Sequence, residues 1–319
     1  MPPYVLVRLM TLKRKTFDSE TAGIISVFIA TVAAGINIYL AKIISFINRF
    51  LLTALMFSLS GLILLTVNIV LGKITDALVQ GRRHFLKFLW IGVIGTSIPM
   101  SMVFYGLALS PISNAFLLQT EVIYSMILSR LLLKERISRK QILLSLLAFL
   151  GIFLITTEGR LKGISASDIL FLLAPFFFQC AHIVAKNLMR NISPIIVVMY
   201  RLLIGGVFLL AVLMLFGLNP IEVIGKLSLH ENMTIFCLGI NYALGNSFWY
   251  YGVKNINLSK ATAIIITYPL TSMILAILTL EEKLSPIKTL GICMIFLSVL
   301  RLSLLRSARY PNDNQQNGS

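Results

Sequence analysis

Ten stretches of this chain run for about twenty residues almost without charge, at 22–43, 50–72, 88–109, 112–133, 141–157, 169–187, 195–218, 233–253, 261–280 and 287–305. A helix rising 1.5 Å per residue needs about 20 apolar residues to cross a hydrocarbon layer about 30 Å thick. Backbone groups in that layer cannot bond water, so the runs must be helices, and none shows the ten-residue alternation of a membrane barrel. The expected fold class is an all-α membrane protein with ten transmembrane helices. With 57% hydrophobic and 13% charged residues, the 319-residue chain has too few polar side chains to clothe a soluble domain.

The charges fall between the runs and are mostly basic: 28 Lys and Arg against 12 Asp and Glu, a net charge of +16. Placed between apolar helices, these bases point to phospholipid as counter-ion, not nucleic acid. With the N-terminus inside, nineteen Lys and Arg lie in cytoplasmic segments and seven outside, while Arg130 and Arg201 fall within spans. The positive-inside bias puts both the N- and C-termini in the cytoplasm. Residues 1–20 read as a cytoplasmic tail and 307–319 as a polar C-terminal tail. Cys180, Cys237 and Cys293 lie singly in apolar runs, so no disulfide framework, metal site or cofactor is indicated.

One phrase occurs twice, as SMILSRLLLKERIS at 125–138 and SMILAILTLEEKLS at 272–285. From Thr120–Ser138 to Thr267–Ser285 nine of nineteen positions are identical, Glu135 matching Glu282 and Ser138 matching Ser285. Ala41-Lys42 similarly matches Ala185-Lys186, and Arg49 matches Arg201. The chain divides into two five-helix repeats, 21–160 and 161–306. Five being odd, the second must enter the membrane inverted. Inverted repeats are the architecture of secondary carriers, with the substrate near the midplane where the copies meet. Duplication serving assembly alone is the plainer alternative.

These features resemble the EamA-type permeases of the drug/metabolite transporter superfamily: a Lys closing the first span of each half (Lys42, Lys186), an Arg opening the next (Arg49, Arg201), and an L-x-x-E-x-[IL]-S phrase after the fourth. The second phrase departs with Thr279 for Leu. The family's proline within the fourth span is present as Pro269, but Val122 stands in its place in the first copy. The resemblance implies a secondary transporter of the cell membrane that moves a small metabolite, amino acid or amphipathic drug by alternating access. No phosphate-binding G-x-x-x-x-G-K-[ST], H-E-x-x-H or G-x-S-x-G occurs, which argues against an ATP-driven pump and for a chain that is not an enzyme. A membrane scaffold or an intramembrane enzyme is the alternative.

Within the spans, polar residues mark a pathway. Glu121 lies nine residues into the fourth, roughly 14 Å deep. An isolated carboxylate there costs several kcal/mol or more, so it must be protonated, meet a cation or a polar neighbour such as Gln179 or His182, or face a wet cavity. At helical spacing Asn114, Tyr124 and Ser125 share its face, favouring a cavity in which Glu121 binds a proton or a cationic substrate group. Pro175, Gln179, His182 and Lys186 form one stripe on the sixth span. Tyr242, Asn246, Trp249 and Tyr250 form another on the eighth, and Thr267, Tyr268 and Thr271 mark the ninth. Interhelical hydrogen bonding is the alternative role for all of these. Lys42, Lys186 and Arg201 read as interfacial basic residues, snorkelling to headgroups, touching substrate or, for Arg201, tying the halves together. Glu135 and Glu282 read as capping or pairing groups at loops.

Overall fold

The computed structural model describes residues 19–44, 46–109, 112–160, 163, 165–280 and 285–305. Expectations for the terminal tails beyond these bounds, for the side chain of Lys42 and for Glu282 lie outside the described residues. The helices, in order, are α1 (Ser19–Ile43), α2 (Arg49–Val70), α3 (Ile74–Arg83), α4 (Phe85–Gly92), α5 (Ile98–Leu109), α6 (Glu121–Leu132), α7 (Arg139–Thr157), α8 (Ile169–Leu188), α9 (Pro194–Leu215), α10 (Pro220–Lys226), α11 (Leu229–Asn255), α12 (Leu258–Ile265), α13 (Tyr268–Leu280) and α14 (Pro286–Leu304). No strand occurs among the described residues. Every apolar run of the sequence holds a helix, and nine helical stretches among the described residues are long and apolar enough to cross a membrane. The eighth run lies in α11, which has 27 residues but is diluted by Glu231, Asn232, Asn241 and Asn246. The protein is an integral multi-pass membrane protein.

The apolar pattern does not announce α3. This polar helix is held by Tyr200, whose hydroxyl donates to the Ala77 carbonyl at 2.9 Å. A Cβ at Gly81 would lie 2.1 Å from that hydroxyl, so only glycine admits the contact.

Packing follows an exchange of the two repeats. The second helix of one copy packs on the second of the other (α2 with α9), and fifth packs on fifth (α7 with α14); α1 against α11 is matched by α8 against α4 and α5. The self-matching pairs run antiparallel. Along α2 and α9, Gly206 lies against Ser58 and Gly61 against Leu203, while Asn68 reaches Met199. Along α7 and α14, Gly151 meets Gly291, and Glu158 at the end of α7 pairs with Lys288 at the start of α14 at 3.0 Å.

The repeated phrase has a structural cause in both copies. Ser138 and Ser285 are the N-caps of α7 and α14, accepting from Gln141 N at 3.1 Å and Lys288 N at 3.3 Å. Thr120 and Thr267 stand where each fourth helix is interrupted, before α6 and α13, and each hydroxyl donates to the carbonyl three residues back at 2.7 Å. The break ahead of α6 is a 3-10 helix, Ile112–Thr120.

Glu135 ties the copies together. Its side chain is 0% exposed. One oxygen accepts from Lys186 Nζ of α8 at 3.0 Å and from Leu258 N at 2.6 Å, and the other from Ser259 N at 3.2 Å and Ser259 Oγ at 2.8 Å. Lys186 Nζ also donates to the Ile256 carbonyl at 2.6 Å. Lys186 is thus committed to a buried ion pair, correcting its assignment as a snorkelling or substrate-facing group. Burial acts to raise the Glu135 pKa, but the Lys186 ammonium and the Leu258 and Ser259 donors outweigh it and hold the carboxyl below its ordinary value.

Two consequences are measurable by thermal unfolding of the purified protein in detergent. Because the folded-state pKa of Glu135 is depressed, its contribution is present above the ordinary carboxylate pKa of about 4.3 and is lost as pH falls below that value. Glu135→Gln should cost about 3–5 kcal/mol at pH 7, by stranding Lys186, and should flatten the loss of Tm between neutral and acid pH. At the α7–α14 crossing, an added Cβ on Gly291 would lie 2.6 Å from the Gly151 carbonyl. Gly291→Ala should therefore cost about 1–3 kcal/mol by overpacking. Gly225→Ala, with open space around it, should not lower Tm.

Candidate functional site

A buried polar cluster crosses the middle of the bundle where the two copies meet. Glu121 opens α6 with its side chain 20% exposed. Gln179 of α8 donates from Nε2 to Glu121 Oε1 at 2.7 Å and lies 3.5 Å from Thr262 Oγ1 on α12. Ser125, one turn along from Glu121, donates to the same threonine hydroxyl at 2.9 Å. His182 Nε2 stands 3.8 Å from Glu121 Oε1.

The far side of the His182 ring faces donors alone. Trp249 Nε1 and Arg201 Nη1 each approach His182 Nδ1 at 3.5 Å. An indole N–H and a guanidinium can only donate, so Nδ1 is the acceptor and Nε2 carries the hydrogen. His182 is then a neutral donor turned toward Glu121.

Arg201 is 5% exposed, and its buried charge spends its donors inside the bundle. Nε donates to Thr96 Oγ1 at 2.7 Å, Nη2 reaches the Gly95 carbonyl at 3.5 Å, and Nη1 also donates to the Tyr250 hydroxyl. Its Cζ lies 5.4 Å from the Tyr250 ring centroid. Arg201 therefore ties α9 to α11 and to the first copy, and it does not snorkel. Its partners Gly95 and Thr96 lie in a π turn, Val93–Ser97, joining α4 to α5. A π turn turns out backbone groups that an α-helix would use internally. Here a carbonyl and a threonine face the guanidinium.

The structure brings Glu121, Gln179, His182, Trp249 and Tyr250 together with Arg201. Tyr124 shares the face of Glu121 but packs edge-on against Phe176, ring centroids 5.8 Å apart. Tyr268, the counterpart of Glu121 in the second copy, has its hydroxyl 3.1 Å from Nε2 of Gln119, two residues before Glu121. Asn246 donates to the Tyr242 carbonyl of its own helix at 3.0 Å.

Two expected site residues belong elsewhere. Asn114 donates to Asp168 Oδ2 at 2.9 Å and to the Gly163 carbonyl at 3.3 Å, at the turn before α8. Residues 112–120 form a 3-10 helix with three residues per turn, so the seven-residue spacing that would align Asn114 with Glu121 on an α-helix rotates it away. Thr267 spends its hydroxyl on its own helix break. Thr96, Thr262 and Gln119 belong to the cluster or its edge and were not singled out from the sequence. For Thr96 the signal was Gly95-Thr96-Ser97, three small residues inside an apolar run.

Comparison with known proteins shows the fold and the family. A solved structure titled "Crystal structure of protein" superposes with a TM-score of 0.72 over 90% of this chain and 96% of its own, at 17% identity, which speaks to fold alone. A Bacillus subtilis protein named as the uncharacterized transporter YyaM is 25% identical over 247 residues, 74% of this chain and 79% of its own. The riboflavin transporter ImpX of Fusobacterium nucleatum is 26% identical over 194 residues, 57% of this chain and 63% of its own. The EamA-like transporter family matches residues 21–157 and again 165–304. The chain is a member of the EamA-like transporter family, a membrane transporter.

Proposed function

We propose that the chain is a secondary carrier that moves a small metabolite, amino acid or amphipathic drug by alternating access between two inverted halves, 21–160 and 161–306, of five spans each. In this scheme α11 is the eighth of ten spans, both termini are cytoplasmic, and the role is transport, not catalysis. The antiparallel run of α2 on α9 and of α7 on α14 supports the inversion.

The observation that carries the mechanism is the setting of Glu121. Its carboxyl lies deep in a span, at the junction of the halves, and its bonded partner among the described residues is the neutral amide of Gln179, with the neutral His182 ring beyond at 3.8 Å. The guanidinium of Arg201 sits across that ring, engaged with Thr96, Gly95 and Tyr250. Glu121 accordingly binds a proton or the cationic group of a substrate, and releases it when the halves rock. Rocking that opens the bundle at the Glu135 end must pull Glu135 from Lys186 and α12. Once the halves part, the rings of Trp249, Tyr250 and Tyr268 would offer faces to a cationic or aromatic substrate, and the resemblance to a riboflavin transporter makes a flavin a candidate.

Proteoliposomes holding a pH-sensitive dye, challenged with riboflavin, amino acids and cationic dyes under an imposed pH gradient, test this reading. Wild-type protein should couple flux of one of these to proton movement, and Glu121→Gln should abolish the pH dependence while folding normally. Unchanged flux and unchanged pH dependence in that variant would overturn the role of Glu121. Orientation is checked in intact cells. Since Ser138 and Ser285 cap helices, the probes belong one residue on, as Arg139→Cys and Pro286→Cys. An impermeant thiol reagent should label Pro286→Cys from outside and reach Arg139→Cys only after the membrane is opened; labelling of both from one side would refute the inversion.

A further inference from the structure

At the end of the α7–α14 pair, on the side holding Glu135, lies a cavity of ≈ 230 Å³ lined by Arg136, Ser138, Lys140, Gln141, Lys260 and Leu305, among others. Three of these six carry positive charge, and among the described residues no lining residue is acidic. Arg136 and Lys140 are exposed and have no carboxylate within salt-bridge distance among the described residues. Glu135, adjacent in sequence, is turned into its own buried pair.

Lys260 forms the inner wall and is 2% exposed. It donates to Glu20 Oε1 at 3.2 Å and to the Leu305 carbonyl, so one of its three N–H donors is uncommitted. Gln141 is fixed beside it, its amide donating to Ser259 Oγ at 3.0 Å. The cavity is thus a preformed, cationic recess with donors on several sides, suited to a phosphate oxygen cluster.

Its surroundings select the source of that phosphate. Leu143 lies one turn from Lys140 along α7, and Leu300 and Leu304 precede Leu305 on α14; all three are exposed on the apolar flank of the two helices. A phosphate placed in the recess therefore has hydrocarbon-facing surface directly below it. We propose that this recess binds the headgroup phosphate of an anionic membrane phospholipid, whose acyl chains lie along the α7–α14 flank. The match is one of charge and amphipathy: bases around the phosphate, leucines below.

Thermal unfolding of the full-length protein in neutral detergent, with added phosphatidylglycerol, phosphatidylcholine or inorganic phosphate, tests the proposal, since a ligand that binds the folded state raises Tm. Phosphatidylglycerol should raise the wild-type Tm, and the other two additives should not. The double variant Arg136→Gln/Lys140→Gln should lose nearly all of that rise. Arg82→Gln/Arg83→Gln, which removes the same charge from α3, should keep it. Equal stabilisation by inorganic phosphate would overturn the lipid assignment. No response to phosphatidylglycerol, or a response kept by the Arg136/Lys140 variant or lost equally in the Arg82/Arg83 variant, would overturn the site itself.

Discussion

A polar group in hydrocarbon has no water to fall back on, so each one must find its partner within the chain. Much of this structure is the working out of that constraint. Where helices cross closely, the Ser60 hydroxyl stands 2.6 Å from the Met56 carbonyl of its own helix and 2.7 Å from that of Gly239, so its single proton can go to either helix. Where the fourth helix of each copy is interrupted, a threonine hydroxyl donates to the carbonyl three residues back and so needs no partner from outside its own segment. The largest buried charges, Arg201 and the Glu135–Lys186 pair, are each surrounded by donors or acceptors drawn from both copies. The halves are consequently held together by polar contacts as well as by packing. Removing one partner from such a set leaves a charge with nowhere to go.

The all-helical membrane architecture was legible because it is written in properties that survive without coordinates: the length of apolar runs and a phrase stated twice. The phrase was informative for a reason visible only in three dimensions, since its threonine, glutamate and serine serve at a helix break, an inter-copy tie and a helix cap. The site was legible in part. Gln179 and His182 fell on one face because α8 keeps regular α geometry, and their meeting with Glu121 was among the weighed alternatives. Asn114 and Thr96 were misplaced or missed because their segments are 3-10 and π, where the α-helical period fails. Lys186 and Arg201 looked interfacial because a sequence gives depth along a helix but not what stands beside it.

Conformation and composition also interact at the end of the bundle where Lys260 lies. Gln141 bonds Ser259, which bonds Glu135, which holds Lys186. A continuous hydrogen-bonded chain therefore links the wall of the basic recess to the tie between the copies. Under the proposed mechanism, whatever orders the recess also weights the closed arrangement of that end, by the ordinary reciprocity of coupled equilibria.

The two copies are chemically unequal at their matched break points, where Glu121 in one meets Gln179 inside the bundle and Tyr268 stands in the other. A carrier that draws on Glu121 alone has a single exchangeable charge per turnover. One elementary charge moving through 100 mV supplies about 2.3 kcal/mol, enough for a concentration ratio of roughly 50. Under the proposed mechanism, a phenol in one copy where the other has a carboxylate would limit what the potential alone supplies to gradients of tens of fold, where an acid in each copy could square that ratio.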